Sequence, residues 1–217
     1  MIRAYLPLDD ARVLDIGCGI GTYVEKFRAL HAHAYGVDVD AERVTRGRRE
    51  KNLDTLALSV SEALPFASAM FDGVLLHEVI EHVNDDRATI CEAHRVTKRG
   101  GAVIVFAPNR LYPFETHGAY FGKRYVFGNI PFIGYLPDGL RRKFAPHVRA
   151  YRSRDLRALF DGLDGEIIAH WQIYPGYDKI AARRQELAGL LRNVTYALEN
   201  TPLRTFGLSH FLVWRKK

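Results

Sequence analysis

Residues 13–21 read Val-Leu-Asp-Ile-Gly-Cys-Gly-Ile-Gly, a short apolar run that ends in three alternating glycines. Arg12–Ile16 has the length and composition of a buried strand, and Thr22–Leu30 follows it with Tyr23, Val24, Phe27 and Leu30 at helical spacing. A strand, a glycine loop and a helix in that order leave few folds open. Glycines permit positive φ and let the backbone approach a ligand closely. Amides at the start of the following helix attract an anionic group. The spacing differs from the dinucleotide loop G-x-G-x-x-G. An acid, Asp15, stands ahead of the glycines, which suits a ligand with a cationic amino-acid portion better than a pyrophosphate and argues against NAD.

The same alternation continues. Ala34–Val39, Thr55–Ser59, Asp72–Leu76 and Ala102–Ala107 read as strands, and Ala41–Lys51 and Asp86–Thr97 as helices. Gly100-Gly101 breaks the chain ahead of the fifth strand, and Pro108 stops it. Strands alternating with helices predict a parallel sheet covered on both faces. Right-handed crossovers place every strand's C-terminal end on one edge, where open α/β sheets bind ligands. After Asn109 the rhythm is lost: residues 109–150 are rich in Pro, Gly and aromatics, show no period, and read as a lid or binding loop. Ser153–Phe160 resumes as a helix, Glu166–Tyr174 as a strand, Asp178–Leu198 as an amphipathic helix, and Phe211–Trp214 as a final strand.

The two cysteines, Cys18 and Cys91, give neither a disulfide framework nor metal-ligand spacing and suit a reducing cytoplasm. No apolar run approaches the ~18–20 residues that cross a bilayer, and the N-terminus does not read as a signal peptide. The net charge of +6 is compatible with acidic substrates, nucleic acid or peripheral contact with an anionic membrane, and equally with a solvated surface rich in arginine.

Asp38, in Gly36-Val37-Asp38-Val39-Asp40, closes the second strand about 20 residues after the glycine loop, where Rossmann folds place a ribose-binding carboxylate. Asp40 fits a helix N-cap. Three further segments follow in order: Ser61–Phe66 (SEALPF), Phe71–Val83 (FDGVLLHEVIEHV) and Arg95–Gly101 (RVTKRGG). Together with the glycine loop these resemble the class I S-adenosylmethionine-dependent methyltransferases of the type 11 group, which includes quinone-biosynthesis enzymes. The resemblance spans about residues 11–108 and resumes weakly at Arg154–Phe160. It implies an α/β, Rossmann-like, doubly wound sheet of seven strands, mostly parallel with the last antiparallel, and a lid inserted after the fifth strand. The expected organisation is one domain over 1–217, with a cofactor half at 1–108, an acceptor insert at about 109–150 and closing elements at 151–217.

The resemblance further implies S-adenosylmethionine as cofactor, with S-adenosylhomocysteine as product. Asp15 and the loop Gly17, Cys18, Gly19 and Gly21 would hold its methionine portion. Asp38 would hold the ribose, Val39 would lie against the adenine, Glu62 and Ala63 at its edge, and His77 beside the cofactor through its backbone. Methyl transfer needs alignment and exclusion of water, and a general base where the acceptor must lose a proton. His82, Glu81, Glu78 and His117 are the candidate bases, which spacing alone does not rank, and His82 and His117 are taken as the catalytic residues.

The spacing of Glu78, Glu81 and His82 predicts one helical face. Two carboxylates and an imidazole suit a divalent ion, with His117 as a further ligand, and some relatives bind a metal through a similar Glu-x-x-Glu-His. The favoured reading gives Glu81 and His82 packing and hydrogen bonding at a helix start and assigns no metal. Tyr112, Phe114, Tyr120, Phe121, Tyr125 and Phe127 favour a small-molecule or lipidic acceptor, methylated at O, N or C. An RNA methyltransferase is the alternative, although the basic residues form no continuous stripe. A non-catalytic cofactor-binding module is the third reading, motivated by the few residues ahead of Val13 where the family carries a closing helix.

Overall fold

The computed structural model describes residues 1–217, the side chain of Lys179 excepted. Strands β1 (Arg12–Ile16), β2 (His33–Asp38), β3 (Leu56–Leu58), β4 (Phe71–His77) and β5 (Thr97–Pro108) alternate with helices α1 (Thr22–Arg28), α2 (Ala41–Lys51) and α3 (Asp86–Val96). Four short strands follow: β6 (Phe114–Glu115), β7 (Ala119–Phe121), β8 (Arg124–Val126) and β9 (Ile130–Pro131). The chain closes with α4 (Asp138–Phe144), α5 (Ser153–Ala158), β10 (Gly165–Ile173), α6 (Asp178–Ala181), α7 (Gln185–Glu199) and β11 (Ser209–Lys216). The main sheet has seven strands in the order β10-β11-β5-β4-β1-β2-β3, mostly parallel with the last strand, β11, antiparallel. This is the Rossmann-like, doubly wound α/β architecture that the family resemblance implies.

The central strands are mostly apolar because helices cover both faces. Val13, Leu14, Ile16, Val74, Leu75, Leu76, Val103, Ile104 and Val105 are all buried. β1 pairs in parallel with β2, Asp15 opposite Gly36, and with β4, Asp15 opposite Leu75. Asp40 caps α2 as expected, accepting from the Arg43 amide at 3.0 Å, and Asp85 caps α3, accepting from the Ala88 amide at 2.8 Å.

The chain divides into two compact units. The first comprises Met1–Phe106, Leu156–Ala169 and Leu212–Lys217, and the second Ala107–Asp155 and His170–Phe211. In the first, Phe160 stacks on Trp214 with ring centroids 5.1 Å apart, and Arg215 donates to the carbonyls of Gly100 and Tyr5. In the second, Ile133, Ala145 and Val148 form a small core. Three polar side chains replace much of the missing apolar mass. Asn109 donates to Thr205 and Gly207 carbonyls, Arg110 to those of Gly134 and Leu136, and buried Arg141 to the Val148 carbonyl and the Glu115 carboxylate.

Two sequence expectations change. The aperiodic stretch 109–150 holds two hairpin pairs, β6 with β9 and β7 with β8, whose strands of two or three residues are too short to show a period. The amphipathic stretch Asp178–Leu198 is two helices, α6 and α7, interrupted after Ala181. Among the described residues no helix is long and apolar enough to cross a membrane.

Candidate active site

The glycine loop leaves the C-terminal end of β1 and turns back on itself. Gly17, Gly19 and Gly21 all have positive φ, at 71°, 55° and 78°. A Cβ at Gly17 would lie 2.4 Å from Val79 Cγ2, whereas at Gly19 it would meet nothing within 4 Å. Gly17 therefore serves close packing and Gly19 leaves open space on the loop's outer side. The loop's amides are committed internally: those of Gly17 and Cys18 donate to the Val37 carbonyl and that of Gly19 to Asp38 Oδ2 at 2.7 Å. These three amides are thus already taken within the protein. Gly21 caps α1 without a side chain of its own. Cys18 is buried, and its Sγ packs where a Cβ on Gly36 would fall, so burial pushes the thiol pKa up and its part in the loop is steric.

A cleft of about 450 Å³ opens beside this loop. Gly17, Asp38, Val39 and Glu62 line it, together with His82. Asp38 is nearly buried, and its second oxygen accepts from the Asp40 amide at 2.9 Å. Each carboxylate oxygen has two acceptor sites, so one amide each leaves both able to accept from ribose hydroxyls. Val39 and Val60 are exposed apolar side chains on the cleft wall, a surface suited to one face of a purine. Glu62 lines the cleft and is held in place by hydrogen bonds from the protein. Its Oε1 accepts from the Asn84 and Asp85 amides and its Oε2 from the Ser61 hydroxyl. Burial raises its pKa, and these bonds outweigh that and hold it below the usual value. Ala63 is exposed and its carbonyl accepts from Ser59 Oγ at 3.2 Å. Arg43, Ser59, Val60 and Val79 also line the cleft without having been singled out in the sequence. Only Arg43's place in the first turn after the Asp40 cap hints at its position.

Asp15 is buried at the end of β1. Burial, and then the neighbouring Asp38, push its carboxyl well above the usual carboxylate range. Two mutually repelling acids beside an open cleft are stabilised by a cationic ligand and disfavour a pyrophosphate. S-adenosylmethionine, with an ammonium and a sulfonium, fits this donor set. His77 ends β4 with its ring between Tyr23 (4.9 Å) and Phe106 (4.7 Å), and burial is the first cause that lowers its pKa.

Glu78–His82 is not helical. Glu78 has φ 55°, residues 80–82 form a turn closed by the His82 amide on the Val79 carbonyl, and α3 begins only at Asp86. The shared helical face expected of Glu78, Glu81 and His82 is therefore absent. The physical reason is the cap: Asp85, with its side chain on the Ala88 amide, starts the helix at Asp86, eight residues after Glu78. Glu81 is buried, and neither carboxylate oxygen has a hydrogen-bond partner among the described residues. Desolvation, and then Glu78, push its pKa up to about 9. His82 Nε2 lies 3.7 Å from Glu81 Oε1. In the second unit, His117 Nδ1 lies 3.2 Å from Glu115 Oε1, while Glu115 Oε2 is 2.9 Å from Arg141. The Glu115 carboxylate orients the His117 ring through Nδ1.

Known proteins resemble this chain in sequence and in fold. Residues 14–105 match a protein family described as a methyltransferase domain. A ubiquinone biosynthesis O-methyltransferase of Brucella ovis is 30% identical over 167 residues, covering 75% of this chain and 62% of that protein. The mitochondrial ubiquinone biosynthesis O-methyltransferase of Rattus norvegicus is 29% identical over 133 residues, covering 58% of this chain and 38% of that protein. The chain thus spans between about a third and two thirds of these relatives. The crystal structure of an S-adenosylmethionine-dependent methyltransferase from Mesorhizobium loti superposes with a TM-score of 0.67 at 19% identity, covering 99% of this chain and 95% of that one. Residues 14–105 thus match the methyltransferase-domain family, and the seven-stranded sheet has the fold of the solved S-adenosylmethionine-dependent methyltransferase.

Proposed function

We propose that the chain binds S-adenosylmethionine in the cleft beside Gly17–Gly21 and directs its methyl group to an oxygen of a small, lipidic acceptor, the two units acting as one methyltransferase domain in the cytoplasm. The observation that carries this reading is the buried acid pair Asp15 and Asp38 at the glycine loop. When bound, S-adenosylmethionine supplies an electrophilic methyl group on a sulfonium. Asp15 would face its cationic amino-acid portion, Asp38 its ribose, and Val39 and Val60 its adenine. The acceptor oxygen comes from what the Brucella and rat relatives are named for. An acceptor hydroxyl needs a base, and the chain offers two: His82 on the cleft wall and His117 held by Glu115. Isothermal calorimetry tests the reading. Binding of S-adenosylmethionine and S-adenosylhomocysteine, but not of a nicotinamide dinucleotide, is expected. No binding of either at millimolar concentration would sink it.

A further inference from the structure

α7 is amphipathic, yet its apolar side is turned away from the protein. Ala188, Arg192, Thr195 and Glu199 recur at helical spacing and form the inner face. Ala188 is wholly buried there. Arg192 donates to the Gly176 carbonyl at 2.6 Å and to Asp178 at 2.8 Å, and Glu199 accepts from the Tyr174 amide at 2.8 Å. The other side carries Leu187, Leu190 and Val194, which are 40%, 62% and 53% exposed. A surface helix ordinarily buries its apolar stripe and solvates its polar one. Here that order is inverted, and an apolar stripe left outside marks a contact surface.

The charges on α7 select the partner. A helix that lies on a membrane is rich in Lys and Arg beside its apolar face, whereas the one cation within α7, Arg192, is spent on Gly176 and Asp178. The two ends differ in sign. Arg183 and Arg184 are exposed just ahead of the first turn, Glu199 closes the last, and Glu186 offsets this order only in part. A helix dipole favours the reverse. An antiparallel copy of the same helix corrects both ends at once, because it brings its acidic end to the basic end of the first. An open groove of about 710 Å³, lined by Ile180, Ala182, Arg183 and Arg184, lies just ahead of α7 and gives that acidic end a place to sit.

We propose that two copies of this chain pair through α7 as an antiparallel dimer with two-fold symmetry, in a register centred on Leu190 and Leu191. Leu187 then faces the partner's Val194, and Arg183 and Arg184 reach the partner's Glu199. Such a contact uses the same patch on both copies and closes on itself. A helix of 15 residues is about 22 Å long, and two of them packed face to face bury on the order of 1,000 Å² in total. That is the low end for a specific interface and makes the dimer a reversible one.

Sedimentation of the full chain across the micromolar range tests the proposal. The expected result is a rise from 24.7 kDa toward twice that mass. Leu190→Glu sets two like charges beside the axis and should weaken pairing more than about 100-fold. Leu190 faces solvent in a single copy, so this variant should keep the melting temperature of the wild-type monomer and its calorimetry with S-adenosylmethionine. Those two controls separate failure of the pairing from failure of the cofactor reading. Cross-linking reads the orientation: a mixture of Leu187→Cys and Val194→Cys chains should form a disulfide-linked pair on mild oxidation, and neither variant should do so alone. A monomer at every concentration, a dimer that Leu190→Glu leaves intact, or linkage of Leu187→Cys to itself would each overturn the proposal.

Discussion

Gly17 and Gly19 sit two residues apart in one loop with similar φ, yet alanine at the two positions should fail for different reasons. At Gly19 a Cβ meets nothing within 4 Å, so the cost in the free protein is the left-handed backbone alone, about 1–2 kcal/mol. At Gly17 the same backbone cost applies, and the new methyl falls 2.4 Å from Val79 Cγ2 and 3.0 Å from Cγ1. Overpacking of that kind adds about 1–3 kcal/mol. Gly17→Ala should therefore melt lower than Gly19→Ala, each kcal/mol being worth about 2–4 °C in a chain of this size. Binding should rank the other way. In Gly19→Ala the methyl occupies the open space beside Asp38, so S-adenosylmethionine affinity should fall more than about tenfold, a loss above ~1.4 kcal/mol, in a protein that is nearly as stable as the parent. Scanning fluorimetry and calorimetry on the same preparations give both numbers. Wild-type affinity in Gly19→Ala would show that no ligand lies over the loop and would refute the argument.

Other perturbations follow from the site. A cationic ligand favours the charged form of Asp15, whose carboxyl burial and Asp38 hold above its ordinary range. S-adenosylmethionine affinity should then weaken as pH falls through that raised range, with Asp15→Asn abolishing most of the dependence; a pH-independent wild type would contradict this. Glu81 is protonated in the folded protein up to about 9 but ionises near 4.5 when unfolded, so stability should decline as pH rises across that window. Urea midpoints measured over that range should show the slope in wild type and not in Glu81→Gln. If either imidazole is the base, His82→Gln or His117→Gln should lower kcat about 10²–10⁴-fold with S-adenosylmethionine affinity retained. Unchanged kcat in both would remove general-base catalysis by these rings.

The parallel sheet was legible because strands covered on both faces are nearly continuous apolar runs, as Val103–Ala107 is and as Val13–Ile16 is but for Asp15. Asp38 and Asp40 were separable because a strand-end acid and a helix cap have different neighbours, and the structure keeps them distinct. Glu78–His82 misled because i, i+3 and i+4 spacing is necessary for a helical face but does not locate the helix start, which the Asp85 side chain decides. Glu62 carried no sign that its carboxylate is consumed by the Asn84 and Asp85 amides, since such a bond spans more than twenty residues. The interior of the second unit was hidden for a related reason. Its hairpins are too short for periodicity, and its packing relies on Asn109, Arg110 and Arg141 bonding to backbone carbonyls, which sequence alone shows only as surface-type residues.

Asp38 holds the Gly19 amide on one oxygen and the Asp40 amide on the other, and so joins the glycine loop to the start of α2 before any ligand arrives. The ordering entropy of both segments is therefore met on folding rather than on binding, and association costs correspondingly less. A cofactor entering such a site selects nothing and reshapes little. Its dissociation constant should reflect contact quality rather than loop closure, its association should approach the rate of an unguarded encounter, and the loop should superpose between free and cofactor-bound crystals. Asp38→Asn, which leaves the shape but halves the pair of acceptors, would instead release the loop and turn a rigid receptor into one that must be ordered by its own ligand.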